Sequence, residues 1–310
     1  VTGASRGLGL EIARQLLDAG CAVAFCARDA AEVERAEAEL LQGAPAGGRV
    51  LGIACDVGVA EDVETFIAQV EQELGQVEIV VNCAATIQVG GIETMDLPHF
   101  DAAMRDSYYG ALHTTLAVLP GMQQRGEGRI VNISSIGGRV AMPHLLPYTA
   151  GKFALTGFSE GLRAELAGEG IAVTTVVPSL MRTGSFLASD FHPPAAEEYA
   201  WFSGMASAPL ISVAPQTAAR RILRAMRHGE GDVTIGWFAQ LGGLIHGAAS
   251  GLTADVLSYV DRWMLPHPAS GEAQVGHQLQ SSAPEPIRIV SDPVVDSGVR
   301  EFHEPPPAAG

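Results

Sequence analysis

Tyr148 and Lys152 stand four residues apart in Tyr148-Thr-Ala-Gly-Lys152, and Lys152 is the only lysine in a chain with 18 arginines. On a helix that spacing puts both side chains on one face, roughly 5–6 Å apart at Cβ. An isolated tyrosine titrates at about pH 10 and is a poor base at neutrality. A cation about 4 Å away, at an effective dielectric of about 20, is worth up to about 4 kcal/mol, roughly three pK units before desolvation takes part of it back. The pair therefore reads as a tyrosine general acid/base tuned by a lysine. Such a pair is commonly no more than two exposed neighbours. That reading weakens in a chain that places arginine at every other basic position. Ser135 lies 13 positions before Tyr148 and closes an apolar run. Its hydroxyl is suited to bond a substrate oxygen and stabilise a developing alkoxide. Ser134 is the neighbour it could be confused with, and a strand-end serine is more often structural.

A second cluster opens the chain. Gly3, Gly7 and Gly9 punctuate Val1-Thr-Gly-Ala-Ser-Arg-Gly-Leu-Gly9, ahead of a helical pattern with Leu8, Ile12, Leu16 and Leu17 on one face. Glycine admits positive φ and lets backbone N–H groups approach a pyrophosphate. A helix N-terminus adds the positive end of its dipole. A tight strand–helix turn alone would be the plain alternative, but the loop sits where a dinucleotide-binding fold requires it. The opening at Val1 reads as a first strand lacking its upstream half.

These groups need elements to hold them. Apolar runs at 22–26, 50–54, 78–82, 129–133, 172–177 and 232–235 predict buried strands. Helical patterns at about 7–19, 30–42, 60–74, 100–124, 148–167 and 216–228 alternate with them, which predicts a parallel, doubly wound α/β sheet with right-handed crossovers. One domain is expected over 1–265. Residues 184–212 break the rhythm with Phe186, Phe191, Tyr199, Trp201, Phe202 and Met205. An apolar stretch follows at 237–265, and its part 237–252, with Trp237, Phe238, Leu241, Leu244 and Ile245, reads as a buried helix near a substrate pocket rather than a lipid-binding one. Eight prolines between Pro266 and Gly310 predict a loose or extended tail, draped over the body at most.

Composition narrows the function. With 19 basic and 35 acidic residues the formal charge is −16, which argues against nucleic acid and anionic membrane surfaces as partners. Hydrophobic residues at 47% and charged ones at 17% exclude a disordered chain. No run reads as a membrane span or a signal peptide. Cys21, Cys26, Cys55 and Cys83 lack metal-ligand spacing and read as reduced thiols of a cytoplasmic protein; the nine scattered histidines predict no metal site.

The glycine loop is TGxxxGxG rather than GxGxxG, and it resembles that of the short-chain dehydrogenases/reductases; the likeness extends over about residues 1–236. Asp56 in Cys55-Asp-Val57 matches the family's adenine-contacting aspartate. Asn82-Cys-Ala-Ala85 resembles its NNAG motif, with Ala85 in place of Gly. Pro178-Ser-Leu-Met-Arg-Thr183 resembles PGxxxT, with Ser179 in place of Gly, and Thr183 would hold the nicotinamide carboxamide. The resemblance makes Ser135, Tyr148 and Lys152 the catalytic group, Lys152 also binding the cofactor ribose. Ser107 takes the place of an asparagine whose backbone carbonyl helps hold a water beside the lysine. Cofactor contacts are implied for Gly3, Ser5, Arg6, Gly7, Leu8, Gly9, Arg28, Asp56, Val57, Asn82, Ala84, Tyr148, Lys152, Pro178 and Thr183. The resemblance further implies a Rossmann-like sheet of about seven strands in order 3-2-1-4-5-6-7, a substrate lid at 184–212, and a homo-oligomer paired through two long central helices. The implied reaction is reversible hydride transfer between a nicotinamide and a carbonyl or secondary alcohol.

Strand two ends Phe25-Cys-Ala-Arg28, with Ala27 where an NAD-type site places an acid on the ribose 2′-OH. Arg28 and Arg6 offer two guanidinium groups to a 2′-phosphate, so NADP(H) is expected over NAD(H), with Asp29 as the competing ribose ligand. The apolar lid predicts a bulky apolar substrate. The alternative is an NAD(P)-binding sensor or scaffold with reduced catalysis. Departures at 85, 107 and 179 favour it, and the intact Ser–Tyr–Lys set opposes it. An extended-type epimerase or dehydratase would carry TGxxGxxG, which this loop does not match.

Overall fold

The computed structural model describes residues 1–267 and 269–306. Among them the strands are β1 (Val23–Ala27), β2 (Val50–Ala54), β3 (Ile79–Asn82), β4 (Gln88–Val89), β5 (Gly128–Ile133), β6 (Ile171–Pro178), β7 (Asp190–Phe191), β8 (Asp232–Ile235) and β9 (Gln274–Val275). The α-helices are α1 (Gly7–Asp18), α2 (Ala30–Gly43), α3 (Ala60–Leu74), α4 (Leu97–Met104), α5 (Gly110–Arg125), α6 (Leu146–Glu165), α7 (Ala195–Ser207), α8 (Pro215–His228), α9 (Trp237–Ala248), α10 (Ser250–Met264), α11 (Gly276–Leu279) and α12 (Glu285–Glu301).

β1 pairs in parallel with β2, and β3-β5-β6-β8 form a second parallel sheet. The first residues of the chain lie between them. Thr2 N donates to Val81 O at 2.9 Å, Ala4 N to Cys26 O at 3.2 Å, and Cys26 N to Val1 O at 3.2 Å. Six strands and this extended segment thus stand where seven strands were expected, in the expected spatial order. Leu10, Ile12 and Leu16 of α1 and Ala218 and Ile222 of α8 cover one face, over Phe25, Val131 and Val176. Val63, Phe66 and Val70 of α3 and Val118 and Met122 of α5 cover the other, over Val80, Ile130 and Val173. Both faces are buried, which is why the strands read as unbroken Val/Ile runs.

Three elements depart from the sequence expectation. The long helix predicted at 100–124 is α4 and α5 joined by a π-turn, Arg105–Tyr109. Gly110 there lies so close to Val57 that a Cβ would meet its Cγ2 at 2.7 Å. A widened turn at such a place is often found at functional sites.

The tail is the second correction. Pro284 and Pro286 sit at the start of α12, where a missing N–H costs little. Ser291, Val294, Val295 and Gly298 make a buried stripe at helical spacing. α12 packs on α7, and with Phe186, Phe191, Tyr199 and Phe202 it closes a separate apolar core under the lid. β4, β7 and β9 knit the same region into a small sheet of their own. Proline content alone hid this folded segment.

The third correction is the apolar stretch expected to be a buried helix. In α9 only Ala239 is buried, while Trp237, Leu241, Leu244 and Ile245 face outward. α10 likewise exposes Leu252, Val256, Tyr259 and Trp263. No described helix is long and apolar enough to cross a membrane.

Candidate active site

The carboxyl ends of the central strands open into a cleft of about 470 Å³. Ligands in doubly wound sheets bind at this edge, where the strand order reverses. Gly3, Ser5, Arg6, Gly7, Leu8 and Gly9 form one wall. Two glycines there are obligatory. Gly3 has φ +62° and a Cβ on it would lie 2.7 Å from Ala84 Cα; a Cβ on Gly9 would lie 2.3 Å from Gly3 O. Thr2 Oγ1 accepts from Cys83 N at 3.0 Å and Ala84 N at 3.3 Å, which fixes the chain after β3 against the loop. The resulting cradle, with the α1 N-terminus at its floor, has the backbone donors and close approach that a dinucleotide diphosphate needs.

The catalytic candidates converge on the same cleft. Ser135, Tyr148 and Lys152 all line it. Ser135 follows β5 and its Oγ accepts from Gly137 N at 3.1 Å. Ser134 is engaged elsewhere: its Oγ lies 2.7 Å from Thr156 Oγ1 and 3.2 Å from Lys152 O. Lys152 is buried, its Nζ donates to Ile133 O at 2.8 Å, and it lies 5.7 Å from the Tyr148 ring centre.

The electrostatics differ from the sequence expectation. Burial pushes the Tyr148 hydroxyl up, with the Ser135 hydroxyl working the other way. Burial also draws the Lys152 ammonium down to about 8. Desolvation disfavours the charged form of each and is the largest influence on both.

Ser107 lies in the π-turn, 1% exposed, with an unpartnered Oγ. It abuts α6 at Gly151, next to Lys152: a Cβ on Gly151 would meet Ser107 Cβ at 3.1 Å.

Other expected contacts fall into two groups. Arg28, Val57, Ala84, Pro178 and Thr183 line the cleft. Asp56 and Asn82 do not. Asp56 accepts from Gly58 N at 2.9 Å and pairs with Arg105 at 3.0 Å. Asn82 lies beneath the cleft, donating to Asn132 at 2.8 Å and accepting from Thr114 at 2.5 Å. Asp29 lines the cleft but also caps α2, accepting from Glu32 N at 2.8 Å.

Three carboxylates were missed. Glu32 accepts from Arg6 at 2.9 Å and from Ser5 Oγ at 2.8 Å. Asp106 lies 3.4 Å from Arg28. Glu304, from the far end of the chain, lines the glycine-loop wall. The lid region supplies Trp201, Phe202 and Met205 to the opposite end, beside Met142, Leu145 and Phe238. Phe186, Phe191 and Tyr199 instead pack as core.

Fold and cleft together define an α/β protein with a dinucleotide cradle facing a Ser–Tyr–Lys group. Residues 1–190 match the family profile described as short chain dehydrogenase. The chain belongs to the short-chain dehydrogenase family, whose members bind NAD(P), and it is an oxidoreductase acting on a C=O/CH–OH pair. It is 32% identical over 238 residues to a dehydrogenase/reductase SDR family protein 7-like of Anopheles gambiae, covering 76% of this chain and 73% of that one. It is 34% identical over 189 residues to 3-dehydrosphinganine reductase of Danio rerio, covering 60% and 57%. A short-chain dehydrogenase of Streptomyces avermitilis superposes with TM-score 0.71 at 30% identity, covering 84% of this chain and 97% of that one. A single-residue variant of actinorhodin polyketide ketoreductase with NADPH gives TM-score 0.67 at 29% identity, covering 77% and 95%.

Proposed function

We propose that this chain reduces a bulky apolar carbonyl compound, or oxidises the matching secondary alcohol, with NADP(H) in preference to NAD(H). The observation that carries this is one cleft running from the glycine loop, past Ser135, Tyr148 and Lys152, to an apolar end lined by Met142, Leu145, Trp201, Phe202, Met205 and Phe238. The bound dinucleotide would supply or take up the hydride. In reduction the Tyr148 hydroxyl gives its proton to the substrate oxygen while Ser135 donates a hydrogen bond to that oxygen. A hydroxyl that burial keeps protonated is suited to the acid's part. Lys152, its charge held in a dry pocket, binds the ribose and reloads Tyr148 with a proton. Ser107, beside the Lys152 turn, joins that relay.

Gly3, Ser5, Gly7, Leu8 and Gly9 would hold the diphosphate, Val57 and Ala84 the adenosine and nicotinamide side of the cradle, and Pro178 and Thr183 the carboxamide, with Asn82 bracing the strand end from beneath. Asp56 would reach the adenine by exchanging its pairing with Arg105. Arg28, half exposed at the cleft edge, and Arg6 would take the 2′-phosphate, Arg6 exchanging Glu32 for it. The exposed Leu116 on α5 and Phe153 on α6 support pairing of two copies through these central helices. The reading is tested by NAD(P)H consumption over carbonyl compounds graded from small and polar to bulky and apolar, with both cofactors. kcat/KM should rise along the series and be higher with NADPH. A flat series, or a preference for NADH, overturns the respective half.

A further inference from the structure

At the N-terminus of α1, two groups from the far end of the chain lie in the diphosphate cradle. The Phe302 carbonyl accepts the Gly7 N–H at 2.8 Å. The Glu304 carboxylate lies over the same glycine, where a Cβ would meet its Oε1 at 3.1 Å. Glu304 is 3% exposed and its Oε2 bonds no donor. The charges facing it are Arg6, with Nε 3.8 Å away, and Glu32. Burial pushes the Glu304 carboxyl up to about 8, the loosely placed Arg6 only partly opposing it, so the group sits over the helix N-terminus with no donor of its own.

The segment is strapped in place by bonds distinct from the cradle. Glu304 N and Phe302 N both donate to Gly298 O at 3.1 Å. Arg14 Nη2 donates to Glu301 O at 3.3 Å, and His303 bonds Glu39. Gly298 itself packs against Thr183, with a Cβ there meeting Thr183 O at 2.8 Å. One C-terminal element thus touches both walls of the cofactor cleft.

We propose that residues 302–304 are a built-in competitor of the dinucleotide. The Phe302 carbonyl and Glu304 carboxylate fill the anion subsite of α1, and the diphosphate binds only as the segment withdraws. This rests on the NAD(P) reading of the cleft. The chemistry is direct: Gly7 N–H is a single donor that cannot serve the Phe302 carbonyl and a phosphate oxygen together, and the Glu304 carboxyl occupies the space over Gly7 whether or not it carries a proton.

The test uses the full chain. Dissociation constants of NADPH and NADH are measured for the wild type, Glu304→Gln and Glu304→Ala. Glu304→Ala should bind both dinucleotides about tenfold tighter or more, equivalent to about 1.4 kcal/mol, with Glu304→Gln between. Should the variants fold poorly, amide exchange on the wild type decides. NADPH should raise exchange over 298–306 while lowering it over 3–9. Unchanged affinity in Glu304→Ala, or a segment that becomes more protected when NADPH binds, overturns the competitor and leaves the cofactor reading intact. If neither wild type nor variant binds either dinucleotide, the cofactor reading fails and the proposal with it.

Discussion

Lys152 and Arg28 each carry a charge whose value depends on what surrounds it. Lys152 sits in a dry pocket bonded to Ile133 O, and its ammonium titrates at about 8. A guanidinium keeps the charge but is planar, larger and unable to give it up. Lys152→Arg should lower kcat by more than about tenfold, about 1.4 kcal/mol on the barrier, measured at saturating substrate. It should also erase any rate limb that titrates at about pH 8. For the cofactor, a charged hydrogen bond contributes about 1.5–3 kcal/mol, but Arg6 already serves Glu32 and Arg28 faces Asp106. The expected preference for NADP is therefore about tenfold rather than thousandfold. Ala27→Asp with Arg28→Ala adds a like charge against the phosphate and an acceptor for the ribose hydroxyls. Their ratio of kcat/KM for the two cofactors should invert.

At the scale of elements, α7 is tied to the start of α6 by one buried pair. His144, just before α6, bonds Glu198 of α7 at 2.6 Å and lies 3.3 Å from Asp261 of α10. Glu198 also accepts from Trp201, which lines the substrate end of the cleft. Burial works against the imidazolium, but the Glu198 bond and the charges of Glu198, Asp261 and Glu93 outweigh it and raise its pKa above 6.5. A raised folded value means the stabilisation is fully present below 6.5 and is lost as pH rises through the folded value. The Tm difference between wild type and His144→Asn, which tolerates the left-handed backbone at this position, should be larger at pH 6 than at pH 9. Equal differences at both would show that the pair carries no charge.

The same scale shows what the sequence could convey. β2, α3 and β8 fall where their apolar pattern puts them, because the residues that make each element, such as the Val63, Phe66, Ile67 and Val70 stripe of α3, are local in sequence. The Tyr–x3–Lys spacing and the glycine loop are equally local. Asp29-Ala-Ala-Glu32 carried an unused signal, since it has the form of a helix-capping pair, and Asp29 does cap α2. Glu304 carried none: its place against Gly7 depends on a helix 17 residues long folding back over the lid. The π-turn at 105–109 depends on Gly110 meeting Val57, a contact between residues 53 positions apart, and no periodicity encodes it.

Over the whole molecule the two ends of the cleft belong to different layers. The sheet and its helices build the dinucleotide end, while α7, α12 and the small β4-β7-β9 sheet build the apolar end. Association extends this picture outward. Leu116 is 56% exposed and Phe153 39% exposed on the helices proposed to pair. Replacing both with Arg should convert a species of twice or four times the chain mass into a monomer in light scattering, with the dinucleotide still bound. An unchanged mass would move the interface elsewhere, and the outward face of α9 and α10 would be the next place to look.

The central claim is that Tyr148 is the proton donor at a cleft that also holds the dinucleotide. Loss of NADPH absorbance at 340 nm, followed with a turned-over bulky ketone in wild type and Tyr148→Phe, tests it most directly. Positioned acid–base groups contribute roughly 10²–10⁴-fold, so kcat should fall by that factor in Tyr148→Phe while the NADPH dissociation constant stays within about twofold. Turnover by Tyr148→Phe at the wild-type rate would contradict the account.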